Sequence, residues 1–140
     1  MSEWKEYSYS GEYSEIVNGI VYRPMIAAKL IKDGQEFNCF SLIDSGTEST
    51  MFSADFAKLF GIDESKCRKV RVGSIEKDDS FGFVSKIKLQ LENFEETIET
   101  EVIFLKNMAI GGLLGQKDIF ENFKIRFEKK HKKFYLAKEK

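Results

Sequence analysis

One aspartate of this 140-residue chain stands where an acid–base group would be of use. Asp44 closes the run Phe40-Ser41-Leu42-Ile43-Asp44 and is followed by Ser45-Gly46-Thr47. The apolar run reads as a strand, and Ser45-Gly46-Thr47 breaks its pattern, with Gly46 allowing a sharp turn. The carboxylate is therefore presented at a strand end, where it can exchange protons with water or a substrate. Taken alone, Asp-Ser-Gly is a weak signal, because Asp and Gly populate turns in every fold. The other aspartates have plainer uses. Asp33 sits in an Asp-Gly hairpin turn, Asp55 and Asp63 flank a helix, Asp78 and Asp79 lie in a polar loop, and Asp118 falls in the first turn of a late helix, where a carboxylate complements the helix dipole. The single histidine, His131, lies in Lys129-Lys130-His131-Lys132-Lys133 and reads as part of a solvated turn. Cys39 and Cys67 form no short pairing motif, so both are expected reduced, and no metal site or cofactor is expected.

The elements that must position Asp44 are strands. β-Branched and aromatic residues come in short runs, and Pro24 is the only proline, which favours an all-β core with few helices. Residues 20–31 and 36–43 read as two strands around Lys32-Asp33-Gly34-Gln35, where Asp-Gly supplies the positive φ angles of a tight hairpin. Ser53-Ala54-Asp55-Phe56-Ala57-Lys58-Leu59-Phe60-Gly61 has a capping serine, helical apolar spacing and a terminal glycine, and predicts a short amphipathic helix packed below the Asp44 turn. Strands are expected over 70–72, 81–91 and 99–105, and again near 123–127 and 133–136, with a helical turn at 116–120 and a lysine-rich turn closing the last hairpin. Residues 1–19, where Tyr7, Tyr9 and Tyr13 alternate with polar residues, read either as an N-terminal arm or as an added edge strand.

Composition bounds the rest. An apolar fraction of 42% with thirteen Phe is enough for a core, and 140 residues suit one domain over 1–140. The 22 basic and 23 acidic residues leave a net charge of -1, so neither nucleic acid nor a membrane is expected as partner. No apolar run spans a bilayer, and Met1-Ser2-Glu3-Trp4-Lys5-Glu6 lacks the apolar stretch of a signal peptide, which predicts a cytoplasmic protein.

Two segments in order carry a resemblance. Leu42-Ile43-Asp44-Ser45-Gly46-Thr47 is similar to the hydrophobic-hydrophobic-Asp-Ser/Thr-Gly-Ser/Thr motif of retropepsin-like and pepsin-like aspartic peptidases. About 70 residues later, Leu113-Leu114-Gly115-Gln116-Lys117-Asp118-Ile119-Phe120-Glu121-Asn122-Phe123 resembles the family's hydrophobic-hydrophobic-Gly segment and the short helix that follows it. The likeness covers residues 20–136. It implies an all-β, single-lobe retropepsin-like acid-protease β-barrel with one or two short helices.

The resemblance also implies a reaction. Two carboxylates about 3 Å apart resist a second negative charge, so one keeps a proton while the other acts as base toward water; aspartic proteases are the standing example of this effect. The chain has one such motif, so the resemblance implies a homodimer in which two copies of Asp44 meet on a twofold axis to cut peptide or protein substrates. It further implies that Ser45 braces the two turns across that axis, that Gly46 aims its N–H at the carboxylates, and that Thr47 donates to Asp44. A local bond to the turn backbone is the competing role for Ser45 and Thr47. A flap that closes over substrate is implied for Gly73, Ser74, Ile75, Phe81, Gly82 and Phe83, although Glu76-Lys77-Asp78-Asp79 departs from the glycine-rich tips of retroviral members. The alternative is a catalytically silent retropepsin-like peptide-binding or dimerisation module, since fold does not establish activity. An unrelated β-domain would leave the paired segments unexplained.

Overall fold

The computed structural model describes residues 3–73 and 80–139. Its strands are β1 (Lys5–Ser8), β2 (Ser10–Ser14), β3 (Gly19–Arg23), β4 (Met25–Lys32), β5 (Gln35–Ile43), β6 (Met51–Ser53), β7 (Arg68–Val72), β8 (Ser80–Leu91), β9 (Ile98–Leu105), β10 (Gly112–Leu114), β11 (Phe123–Glu128) and β12 (Lys133–Lys138). Among the described residues one α-helix, α1 (Ala54–Phe60), follows β6 directly.

Period-two patterning builds the barrel. In β4, Ile26, Ala28 and Leu30 are buried and their neighbours less so; in β9, Ile98, Thr100, Val102 and Phe104 are buried and the glutamates between them exposed. Strands in the order β4-β5-β10-β6-β9-β8 close on themselves because β4 also pairs with β8, from Ala28↔Leu91 to Ile31↔Lys88. Closure removes the free edges that an open sheet would expose. The β5–β10 and β6–β9 pairs are parallel and the other neighbours in the ring antiparallel. β7 lies outside the ring on β8.

Local signals set two elements as the sequence predicts. Lys32 pairs with Gln35 across a two-residue turn with φ of 49° at Asp33 and 79° at Gly34, the twist a tight hairpin needs. Ser53 caps α1 by accepting the Asp55 N–H at 3.2 Å, and Gly61 ends it at φ 73°. Asp63 likewise accepts from the Ser65 N–H at 3.0 Å.

Two elements differ from expectation. The strand expected over 20–31 is split at Pro24, which has no N–H to give a ladder. β3 leaves the barrel there to pair with β2, and β4 enters it; the Pro24 carbonyl accepts the Ile43 N–H at 3.0 Å. The helical turn Gln116–Phe120 is kinked, with ψ of 133° at Lys117 and φ of 73° at Asp118. Asp118 therefore does not cap a helix dipole. Its carboxylate instead accepts the hydroxyl of buried Thr100, and its carbonyl accepts from Asn122 Nδ2.

Of residues 3–19, Lys5–Ser8 and Ser10–Ser14 are strands. β1 pairs with β12, from Lys5↔Leu136 to Ser8↔Lys133, giving the sheet β1-β12-β11. Aromatic contacts fasten this sheet together and to the barrel. Tyr7 stacks on Phe134 at 5.1 Å, its hydroxyl donates to the Glu92 carbonyl at 2.6 Å, and Phe94 meets Phe123 edge-on at 4.9 Å.

The two cysteines are free and differently placed. Cys39 is 5% exposed, and burial pushes its thiol above the ordinary value against a smaller opposing effect from Ser41; Cys67 is half-buried. Alkylation needs the thiolate and access to it. A thiol reagent is therefore expected to label Cys67 in the native protein and Cys39 only after unfolding, which peptide mass mapping would read directly. Equal native labelling would contradict this packing.

Candidate active site

Asp44 lies one residue past β5, half-buried, with Ser45 and Gly46 exposed beside it. Its position follows from the parallel pair β5–β10, in register Leu42↔Leu113 and Ile43↔Leu114, which ends as the Asp44 N–H donates to the Leu114 carbonyl at 3.0 Å. The two segments that carry the motifs are thus adjacent strands.

Beyond that pair the second segment binds the loop after Asp44. Gly115 N–H donates to Thr50 Oγ1 at 3.2 Å, Gln116 N–H to the Thr47 carbonyl at 2.8 Å, and Lys117 N–H to the Glu48 carbonyl at 2.8 Å. Gln116 Nε2 reaches the Ser45 carbonyl at 2.6 Å. These bonds place the loop backbone against Gly115 so closely that a Cβ there would lie 2.5 Å from the Ser49 oxygen and 2.8 Å from the Thr47 oxygen. Only glycine fits such an approach without a shift of backbone.

Within the turn, Gly46 N–H donates to Asp44 Oδ1 at 2.8 Å. Gly46 is not at positive φ; its missing Cβ instead leaves room for the carboxylate, whose Oδ1 would stand 3.1 Å from a Cβ. Thr47 Oγ1 donates to the Ser49 carbonyl at 3.2 Å rather than to Asp44, so in this chain its hydroxyl takes the local role.

The strands expected to form a flap are β7 and β8, paired with Val70 opposite Gly82 and Arg71 opposite Phe81. Gly73 follows β7, while Ser74 and Ile75 lie outside the described residues. Phe81 is 63% exposed and available for contact. Phe83 is not: it is 3% exposed, with its ring 5.8 Å from that of Phe104 in the barrel. Gly82 also has a structural reason, since a Cβ there would stand 2.6 Å from the Ile103 side chain and 2.8 Å from the Phe104 carbonyl oxygen. Of the apolar flap contacts expected from sequence, Phe83 thus belongs to the core, where its ring meets Phe104, while Phe81 on the same strand stays exposed.

Thr50 and Gln116 are the supporting groups that sequence reasoning missed. Thr50 is 1% exposed, and no motif marks it; its role comes from a glycine 65 residues away. Gln116 stands in the second segment, yet its side-chain partner, Ser45, is fixed only by the parallel strand pair.

No family model matches the chain, and no match is found among curated proteins. Among solved structures, the crystal structure of a retropepsin-like aspartic protease from Rickettsia conorii superposes with a TM-score of 0.63 at 15% sequence identity, covering 99% of this chain and 94% of that one. The fold is retropepsin-like. At that identity the likeness is one of fold, and it spans nearly the full chain, including β1 and β2, which precede the region of motif resemblance.

Proposed function

We propose that the protein is an aspartic endopeptidase that works as a twofold dimer, with Asp44 of each copy at the axis. The observation that carries this is the Asp44 carboxylate, held by Gly46 N–H at 2.8 Å on an open turn that the Leu114–Lys117 segment binds from beneath. A carboxylate held in this way at a strand end of a retropepsin-like barrel would supply half of a paired-carboxylate site.

In the paired site one Asp44 is ionised and takes a proton from water as the water oxygen bonds to the peptide carbonyl carbon. The other Asp44 gives its proton to the carbonyl oxygen, so a neutral tetrahedral diol forms. The first Asp44 then gives its proton to the nitrogen while the second takes one from a diol hydroxyl, so the C=O re-forms, the C–N bond breaks, and acid and amine leave with the pair again holding one proton. The reaction requires no covalent enzyme intermediate. Ser45, exposed next to Asp44, is assigned to bracing one turn against the other across the axis. Phe81 and Gly73 are assigned to the strands that cover an extended peptide, added as a further strand.

Sedimentation and a peptide library test this together. The expected result is a dimer at micromolar concentration, and cleavage of extended peptides with apolar residues beside the scissile bond, from acidic to near-neutral pH. A dimer that cuts nothing across that range would leave the silent binding module as the function. A strict monomer, with or without a bound peptide, would remove the mechanism.

A further inference from the structure

Strands β2 and β3 form a two-stranded ribbon that pairs with no other strand among the described residues. Its register, Gly11↔Tyr22 and Tyr13↔Ile20, puts Tyr13, Ile20 and Tyr22 on one face. The opposite face carries Ser10, Glu12, Ser14, Val21 and Arg23, with Glu12 paired to Arg23 at 3.0 Å. The turn carries Ile16, which is 97% exposed, and Val17, also exposed. Tyr13 OH donates to Asn18 Oδ1 at 2.8 Å, and Asn18 N–H to the Glu15 carbonyl at 3.2 Å, so the turn is built to hold these two apolar side chains outward.

The base of the same face is basic. Lys132 Nζ stands 4.1 Å from the centre of the Tyr22 ring, and the Lys132 carbonyl accepts the Tyr9 N–H at 2.8 Å, which docks the turn Lys129-Lys130-His131-Lys132 against the ribbon. These four residues are exposed. Nearby acids are engaged elsewhere: Glu6 with Lys133 at 3.6 Å and Glu128 with Arg126 at 3.1 Å. Glu15, in the apolar turn itself, is the one charge that opposes burial of the tip.

We infer that this ribbon and the lysine turn form a docking surface for an anionic lipid bilayer, with Ile16 and Val17 entering the headgroup–acyl boundary and Lys129, Lys130 and Lys132 lying over the headgroups. From Tyr22 to Asn18 is four residues, roughly 13 Å of strand. An apolar face at a bilayer surface sinks about 5 to 10 Å, so a seated tip leaves the lysines at headgroup level. Tyr13 and Tyr22, each with a polar tip on an apolar ring, suit that interface. Basic groups near an anionic leaflet add attraction within a Debye length, and the net charge of -1, an average over the whole chain, does not cancel it locally. No helix among the described residues is long and apolar enough to cross a membrane; the attachment inferred is a surface one.

The test is co-sedimentation of the full chain with mixed phosphatidylserine–phosphatidylcholine vesicles and with phosphatidylcholine alone. Binding is expected to the anionic vesicles and to weaken as salt rises. Ile16→Ser with Val17→Ser is expected to lower the partition coefficient about tenfold or more, and Lys129→Gln and Lys130→Gln about fivefold each. Glu15→Gln should raise it. All five positions are exposed, so the variants should fold, which circular dichroism checks. No binding to anionic vesicles, or binding that these substitutions leave unchanged, would overturn the inference. So would a shift of oligomeric state by the Ile16→Ser and Val17→Ser pair without vesicle binding, which would assign the ribbon to a second copy of the chain. Neither result bears on Asp44, since peptide cleavage in solution is read separately.

Discussion

Asp44→Asn is expected to abolish peptide cleavage while leaving the fold and the dimer intact. The amide is nearly the size of the carboxylate and keeps an oxygen for the Gly46 N–H, now 2.8 Å from Oδ1. The backbone bond from Asp44 N–H to the Leu114 carbonyl is untouched. What the variant loses is the capacity to take a proton from water at either half of the pair. Loss of general acid–base catalysis costs about a hundred- to ten-thousand-fold in rate, which places the variant at or below detection. Circular dichroism and the sedimented mass must accompany the assay, because inactivity through unfolding would say nothing. Wild-type-like cleavage by a folded Asp44→Asn dimer would exclude Asp44 as the acid–base group.

Gly115→Ala is expected to damage both stability and activity although it adds a single methyl group. The new Cβ would be placed 2.5 Å from the Ser49 oxygen and 2.8 Å from the Thr47 oxygen. Both are backbone atoms that accept hydrogen bonds, the Thr47 oxygen from Gln116 N–H at 2.8 Å and the Ser49 oxygen from Thr47 Oγ1 at 3.2 Å, so a shift of either disturbs the loop. Overpacking of this kind costs about 1 to 3 kcal/mol, and a rigid backbone puts the site at the upper end. A fall of about 10 °C in melting temperature is the matching thermal result. Because the displaced loop begins at Asp44, cleavage should fall further than the folded fraction does. Gly34→Ala is the control: its φ of 79° makes alanine strained, yet a Cβ there meets nothing within 4 Å, and it stands at the opposite end of β5 from Asp44. It should cost about 1 kcal/mol with activity retained. Wild-type melting and activity in Gly115→Ala would show that the second segment does not hold the Asp44 turn.

What was legible in the sequence was local. Asp33-Gly34 specified its hairpin because the backbone angles of that turn suit few residues, and Ser53 with Gly61 bounded α1 because helix ends leave backbone groups that particular residues satisfy. Alternation in Ile98–Leu105 announced its buried face, and the run into Asp44 placed a carboxylate at a strand end. The ordered pair of motifs carried the likeness to the retropepsin-like fold, which the superposition matches over 99% of the chain.

Tertiary structure decided what depends on distant partners. Nothing near Gln116 signals that its side chain will reach Ser45 across 71 residues. Phe81 and Phe83 are the same residue type two positions apart, yet one is exposed and the other lies in the core, because only the closed barrel defines which neighbours each strand face meets. Tyr7 of β1 found its place against Phe134, near the other end of the chain. The lysine turn and the apolar ribbon, separated by more than a hundred residues, became one surface in the same way. Backbone angles and side-chain period act over a few residues and can be read in order, whereas contact between remote segments is set by which strands close the barrel, and that information is shared among all of them.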